Sequence, residues 1–465
     1  MISDEEKEEN HKIIIKIGYN EIDCSNSQFL LDSPLIRNSM NYPINIDMDV
    51  NNDELCLIQN FLQKGLLILD SQENYTLFSK LNKFIRLPQL ADKLLFFNKT
   101  RHIQNFNEYE ILFQIYETIF SFDKDSNIEE TINQSKEIIL QSGTEIFVRT
   151  VFYAILSKPL LTREYISILR NLPEQTESIP TFIEIFISEF KDIYKNHIFK
   201  NEILYIAHFL ISKGYIDIRK LFSKSDIQNI DKYPLLLIDL YGIDPLKIPS
   251  SMIQSNFFYE NLSSLSENNW ELHKKLVNKG INPNPIAVAI QSDDLKSLES
   301  LSLSPYFDPN MNLENSIYER SSICSRNINL IEYALFNRSY RCFRFLRNIG
   351  SKLDDSRSMK FLICSNSPIN IQPEEFRKYF DYAVYYHNYY AIESILRLQD
   401  MNINKLFEKA QLMIRFCEFR GLLFLLQIGP LPPDFLKALI NCSENYNNDI
   451  LVEIIKRLIE IKDEF

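Results

Sequence analysis

The sequence predicts a mainly α-helical chain, with a small α/β module at the N-terminus followed by a long helical array. Three observations predict it. Apolar and polar residues alternate as in half-buried strands only early in the chain, most clearly in Ile44–Asp49. From Glu108 onward, apolar residues recur at three- and four-residue spacing through one segment after another. The 465 residues contain only 9 glycines, too few for the many tight turns of a sandwich or barrel. A chain this long exceeds what one hydrophobic core usually serves, so several domains or a domain plus a repeat array are expected. The division read from the chain is 1–100 for the α/β module, 101–255 for helical hairpins, 256–432 for irregular repeats and 433–465 for a capping segment.

The first module opens with a β-rich run, His11–Ile17, a turn at Gly18-Tyr19-Asn20 and a second run, Glu21–Cys24. Phe29–Met40 reads as a helix broken early by Pro34. Leu55–Leu62 has helical spacing and stops at Gly65, a residue suited to the left-handed cap of a helix. Leu66–Leu69 is a strand or connector, and Tyr75–Phe84 and Leu90–Phe97 are two helices parted by Pro88. Helical periodicity then marks Tyr109–Phe122, Ile128–Leu140, Glu145–Ser157, Arg163–Arg170, Thr181–Tyr194, Glu202–Ser212 and Ile216–Ser223. Short connectors such as Leu172-Pro173 and Ser212-Lys213-Gly214 suit antiparallel helix pairs, the unit of a stacked α-solenoid. Tyr233–Ile238 reads as a buried helix and Asp244–Ser255 as a looser joint.

Composition narrows the function. A formal charge of −12 opposes a general nucleic-acid or anionic-membrane binder, because phosphate neutralisation needs clustered Lys and Arg. No apolar run approaches the roughly 18 residues of a membrane span. Met1–Asn10 is acidic, unlike a secretory or transit signal. Seven irregularly spaced cysteines fit buried thiols in a reducing compartment, the cytosol or the nucleus.

Four stretches of the N-terminal module resemble the BTB/POZ family in order and spacing. They are Ile13–Gly18 with Glu21 and Phe29, then Ser33-Pro34-Leu35-Ile36, then Phe61–Gly65 with Glu73-Asn74, then Leu87-Pro88-Gln89-Leu90. Two positions depart from that family. Lys12 stands where an acidic residue is associated with the dimer interface, and Ser25 stands where the first helix usually carries a histidine. The resemblance therefore implies at most weak self-association through this module.

The C-terminal half resembles ankyrin repeats in a divergent form. Asn329-Leu330-Ile331-Glu332-Tyr333-Ala334 lies on the Thr-Pro-Leu-His-x-Ala consensus, followed by Cys342–Leu346 and a helix-ending Gly350. Other units begin at Asn284–Ala289, after the repeat-like end Trp270–Gly280, and at Lys378–Ala383, which runs into Ile392–Leu396. A further unit ends at Leu422–Gly429, and Pro433–Lys462 closes the chain with a proline–aspartate helix start. Inserts at Asn310–Ser325 and Phe361–Gln372 stretch the usual period of about 33 residues into long loops. The resemblance implies that the two positions after the small-residue pair of each first helix face a ligand groove. These are Gln291 and Ser292, Phe336 and Asn337, Tyr385 and Tyr386, and Arg415 with Phe416.

Signatures of chemistry are missing from the sequence. There is no Cys-x-x-Cys, no His-x-x-x-His, no phosphate-binding glycine loop and no Gly-x-Ser-x-Gly, so no metal, cofactor or catalytic residue is assigned. His208, Cys342 and Cys417 sit at apolar positions and read as core. The pairs Glu129-Glu130 and Glu374-Glu375 read as solvated helix starts near a positive dipole. The expected function is a non-catalytic scaffold or adaptor that binds a protein partner. Two alternatives remain open: a substrate receptor of a cullin-type ubiquitin ligase, or a structural part of a cytoskeletal assembly.

Overall fold

A computed structural model gives the fold. It describes residues 14–17, 20–24, 44–46, 48, 50–64, 72–85, 107–123, 125–195, 199–221, 256–324, 327–353, 355–365, 377–397, 403–427 and 431–463. Three strands come first, β1 (Ile14–Ile17), β2 (Asn20–Asp23) and β3 (Ile44–Ile46). Helices follow as α1 (Asn52–Lys64), α2 (Gln72–Ile85), α3 (Asn107–Phe120), α4 (Ile128–Ser142), α5 (Thr144–Ser157), α6 (Thr162–Arg170), α7 (Ser178–Lys195) and α8 (Lys200–Ser212). Next come α9 (Asn256–Glu260), α10 (Leu262–Lys279), α11 (Pro285–Gln291), α12 (Leu295–Ser302), α13 (Leu330–Phe336), α14 (Tyr340–Asn348) and α15 (Asp355–Cys364). The last are α16 (Phe380–Tyr385), α17 (Tyr389–Leu396), α18 (Ile403–Arg415), α19 (Phe419–Gln427), α20 (Pro433–Asn445) and α21 (Asp449–Asp463). The chain is mainly α, and among the described residues no helix is long and apolar enough to cross a membrane.

Two compact units divide the chain: Met1–Phe113 with Ile392–Phe465, and Gln114–Ala391. Their boundaries fall within α3 and α17, whereas the linear reading divides the chain near residues 100, 255 and 432.

In the first unit, β1 pairs antiparallel with β2 and parallel with β3, giving the order β2-β1-β3. Ile15, Ile17, Ile22, Ile44 and Ile46 are buried, as the two-residue alternation requires. They share a core with Ile58, Phe61 and Leu62 of α1 and Leu77, Phe78 and Leu81 of α2. The Phe61 and Phe78 rings meet edge to face at 5.4 Å. Asn51 and Glu54 cap α1 reciprocally, Asn51 Oδ1 accepting from Glu54 N–H and Glu54 Oε2 from Asn51 N–H. The expected helix Phe29–Met40, the Gly65 cap, the connector Leu66–Leu69 and the helix Leu90–Phe97 lie outside the described residues. In the same unit, the start of α3 is bonded to C-terminal helices. Arg457 of α21 pairs with Glu108 at 2.9 Å, and Gln427 of α19 donates to the Tyr109 hydroxyl at 3.0 Å.

In the second unit, α5 is buried from Ile146 to Leu156 and packs against α4, α6 and α7. Asn127 caps α4 by accepting from the Glu129 and Glu130 amides, which puts that acidic pair in the first turn, where the helix dipole favours it. The connector after α8 ends in a left-handed Gly214. The helix expected over Ile216–Ser223 is instead a single 3-10 turn, Ile218–Lys220. The segments Tyr233–Ile238 and Asp244–Ser255 lie outside the described residues. Within α10 the chain breaks at Glu267–Trp270, so the stretch ending at a left-handed Gly280 is a separate helix.

Five helix pairs, α11/α12, α13/α14, α16/α17, α18/α19 and α20/α21, share one turn. In each, the second residue after the first helix has positive φ: Asp293 (49°), Arg338 (56°), His387 (53°), Cys417 (55°) and Asn447 (52°). Two backbone bonds close every turn, for example Arg338 N–H to Leu335 O and Ser339 N–H to Ala334 O. This is the Schellman arrangement, built here without glycine. Its left-handed residue costs roughly 1–2 kcal/mol relative to glycine's freedom. Asn and Asp visit this region readily, whereas Arg338 and Cys417 occupy it because the two closing bonds and the packed helices over-determine it. Turns 387, 417 and 447 are evenly spaced, while longer segments separate the earlier ones. The insert read at Phe361–Gln372 begins inside a helix, α15, which packs against α13 and α16 rather than projecting as a loop. Pro433–Lys462 forms the last of these pairs.

Candidate functional site

The positions expected to face a ligand occupy equivalent places in four of the pairs. Gln291, Phe336, Tyr385 and Arg415 are each the last residue of a first helix, and Ser292, Asn337, Tyr386 and Phe416 each follow as the cap. Their surroundings differ. Ser292 is exposed, and its hydroxyl donates back to Val288 O at 2.6 Å. Gln291 and Asn337 are half-buried, the latter donating to Tyr333 O at 2.9 Å. Phe336 is half-buried with its ring perpendicular to that of Tyr386 at 6.3 Å. Tyr385 is half-buried and Tyr386 is buried, both packed on Phe199, the residue before α8, at 5.9 and 5.7 Å. Within this unit the α16 end of the row is therefore closed over by Phe199, and the α11 end is open at Ser292. Arg415 belongs to the other unit, half-buried with its guanidinium 5.8 Å from the Phe416 ring centroid.

The insert Asn310–Ser325, read from sequence as a long loop, carries the polar heart of the second unit. Tyr318 O–H lies 2.9 Å from His273 Nδ1 on α10. Glu319 Oε2 accepts from the buried Tyr333 hydroxyl of α13 at 2.9 Å, and its backbone carbonyl accepts from Asn201 of α8 at 2.8 Å. Arg320 donates to Pro159 O at 3.1 Å and to Asn278 O, and its guanidinium lies 4.0 Å over the Tyr205 ring. Ser322 donates its N–H to Glu202 Oε1 at 2.8 Å and its hydroxyl to Glu202 Oε2 at 2.5 Å. One insert thus joins α8, α10, α13 and the 3-10 turn Pro159–Leu161.

Burial governs the electrostatics of this cluster. It pushes the Glu202 carboxyl up to about 8 and raises that of Glu319, in both cases against hydrogen bonds that favour the ionised form. It also drives the thiols of Cys324 and Cys364 well above their ordinary value, and the Tyr386 hydroxyl likewise. Glu202, Glu319, Ser321, Tyr333 and Tyr386 are all buried, so the cluster offers no face to a substrate; it can bind protons and hold helices together. Sequence reasoning missed it. The only local signal is the dense polar run Tyr318-Glu319-Arg320-Ser321-Ser322 inside a segment of repeats, and its partners Pro159, Asn201 and Glu202 lie more than a hundred residues away in sequence.

The remaining candidates are packing residues. His208, Cys342 and Cys417 are buried, with Cys417 at a left-handed turn and Cys342 N–H bonded to Asp293 Oδ1 at 2.9 Å. Glu374-Glu375 lies outside the described residues. Among the described residues, no group of three or more His, Cys, Asp or Glu is placed to hold a metal ion. No family model, curated protein or solved structure matches this chain.

Proposed function

We propose that this chain is a non-catalytic protein-interaction scaffold, with a BTB/POZ-like module followed by divergent ankyrin-like helix pairs, of which those in the second unit take a protein partner. The observation that carries the reading is the shared turn: five pairs repeat it, and four present the implicated residues at the same two positions. Repeated units of this kind supply an extended surface without needing chemistry. The BTB/POZ-like reading draws support from the opening β-hairpin and the two helices that share its core. The accessible face consists of Gln291, Ser292, Phe336 and Asn337, with Tyr385 at its edge and Tyr386 packed behind.

The test is the double variant Ser292→Arg/Phe336→Ala in the full chain, with capture of partners identified by mass spectrometry. The expected result is loss of a partner that the parent retains, with Trp270 fluorescence melting within a few degrees of the parent. A variant that melts like the parent and keeps every partner refutes the face.

A further inference from the structure

The chain carries −12 overall, yet one helix face has the opposite sign. Tyr340, Arg344 and Arg347 of α14 stand at i, i+4 and i+7, a single stripe of a helix, and all three are exposed, while Cys342 and Leu346 are buried behind them. Arg341, also exposed, is bonded to Asp293, but Arg344 and Arg347 have no ion pair or hydrogen bond among the described residues. Beside the end of α14 runs the loop 303–310 that follows α12. Ser351 Oγ donates to Pro309 O at 2.6 Å and Lys352 N–H to Asn310 Oδ1 at 2.7 Å, fixing the loop there. That loop exposes Leu303 (85 %) and Tyr306 (91 %), the two largest exposures among the described large apolar side chains. Single exposed apolar residues need no explanation. Two of them do when they lie on a loop that leaves α12, which packs against α14, and is bonded again just past the end of α14, the helix carrying the two unpaired arginines.

We infer that α14 and the loop 303–310 form a docking surface for an acidic segment of a partner protein that also carries a leucine or aromatic side chain. Each free guanidinium offers a planar fork that a carboxylate matches with two parallel hydrogen bonds. Leu303, Tyr306 and Tyr340 supply the apolar and aromatic contact typical of interface hot spots. A nucleic acid fits less well. Asp294 capping the adjoining α12, Glu299 within it and Asp308 of the loop are exposed, and they repel a continuous phosphate backbone while leaving room for a short peptide with two spaced carboxylates. The inference rests on the scaffold reading for the kind of partner, and it assigns the contact to the second helices rather than to the row headed by Ser292.

The experiment uses the full chain and a short fluorescein-labelled peptide that alternates glutamates with leucines and phenylalanines, followed by anisotropy at two salt concentrations. The expected result is binding that weakens with salt and disappears when glutamine replaces glutamate in the peptide. Arg344→Glu/Arg347→Glu should weaken it roughly tenfold or more, two charge-assisted contacts being lost. Leu303→Ala/Tyr306→Ala should weaken it severalfold, with Trp270 melting unchanged for both. Absence of peptide binding, or equal binding by the arginine variant, overturns the inference. So does tighter binding of a single-stranded oligonucleotide than of the peptide, or salt-sensitive self-association as the only activity of the stripe. Loss of peptide binding in Ser292→Arg/Phe336→Ala but not in the arginine variant also overturns it, while leaving the scaffold reading intact.

Discussion

Glu202→Gln should stabilise the second unit, and the gain should grow with pH. Glu202 is 1 % exposed on α8, and Ser322 donates to both of its carboxyl oxygens. Burial pushes its carboxyl from 4.5 to about 8, so between those values the folded chain holds a proton that the unfolded chain has released. Stability contributed by this group is therefore complete below pH 4.5 and declines as pH rises toward 8. Each pH step within that window is worth about 1.4 kcal/mol. The penalty of the ionisable group then comes to about 2 kcal/mol at pH 6 and about 4 kcal/mol at pH 8. Glutamine is neutral throughout. Its carbonyl still accepts the Ser322 N–H, and its amide donates to the Ser322 hydroxyl in place of receiving from it. The chain has one tryptophan, Trp270, buried in α10 of this unit, so urea unfolding followed by its fluorescence reports the right transition. The stability difference between variant and parent, measured from pH 5 to 8, should rise with pH. A flat difference, or a variant less stable than the parent at pH 8, would show that the site holds a carboxylate comfortably and would refute the argument.

Other expectations follow from the same packing. Gly280→Ala should cost about 3 kcal/mol or more, because a Cβ there would stand 1.3 Å from Arg320 Nε and evict the guanidinium from Tyr205 and the Pro159 carbonyl. Gly350→Ala, at φ 96° with nothing within 4 Å, should cost only the backbone strain of about 1–2 kcal/mol in the same urea assay. Ala334→Leu overfills a site with no exposed surface and should lose roughly 1–3 kcal/mol. Asn329→Ala removes one side of the capping box with Glu332 and should lose about 1 kcal/mol, read as a lower melting temperature. Thiol titration of the native chain should find Cys56 alone reacting fast, since the other six cysteines are buried; urea should release all seven. Rapid labelling of more than one thiol in the native chain would contradict this packing.

Much of the local architecture was legible in the amino-acid order. Helical spacing located α3 to α8 to within a few residues, a β-rich run located β1 and alternation located β3, because all of these are properties of neighbouring residues. Gly350 announced a left-handed helix end through chemistry confined to one turn, whereas the left-handed Gly280 and the capping box of Asn329 with Glu332 emerged only from the structure. The five shared turns were not legible as such, since Asp293, Arg338, His387, Cys417 and Asn447 have no common side chain and are alike only in φ. Tertiary structure alone decided that Tyr386 is closed in by Phe199 while Ser292 stays open, though both hold the same register position. It also decided that the insert after α12 runs inward to Glu202, at a separation of 120 residues, instead of projecting as a loop. Periodicity tells which face of a helix is apolar. What covers that face, and which carboxyl loses its water as a result, depends on segments distant in sequence brought together by packing.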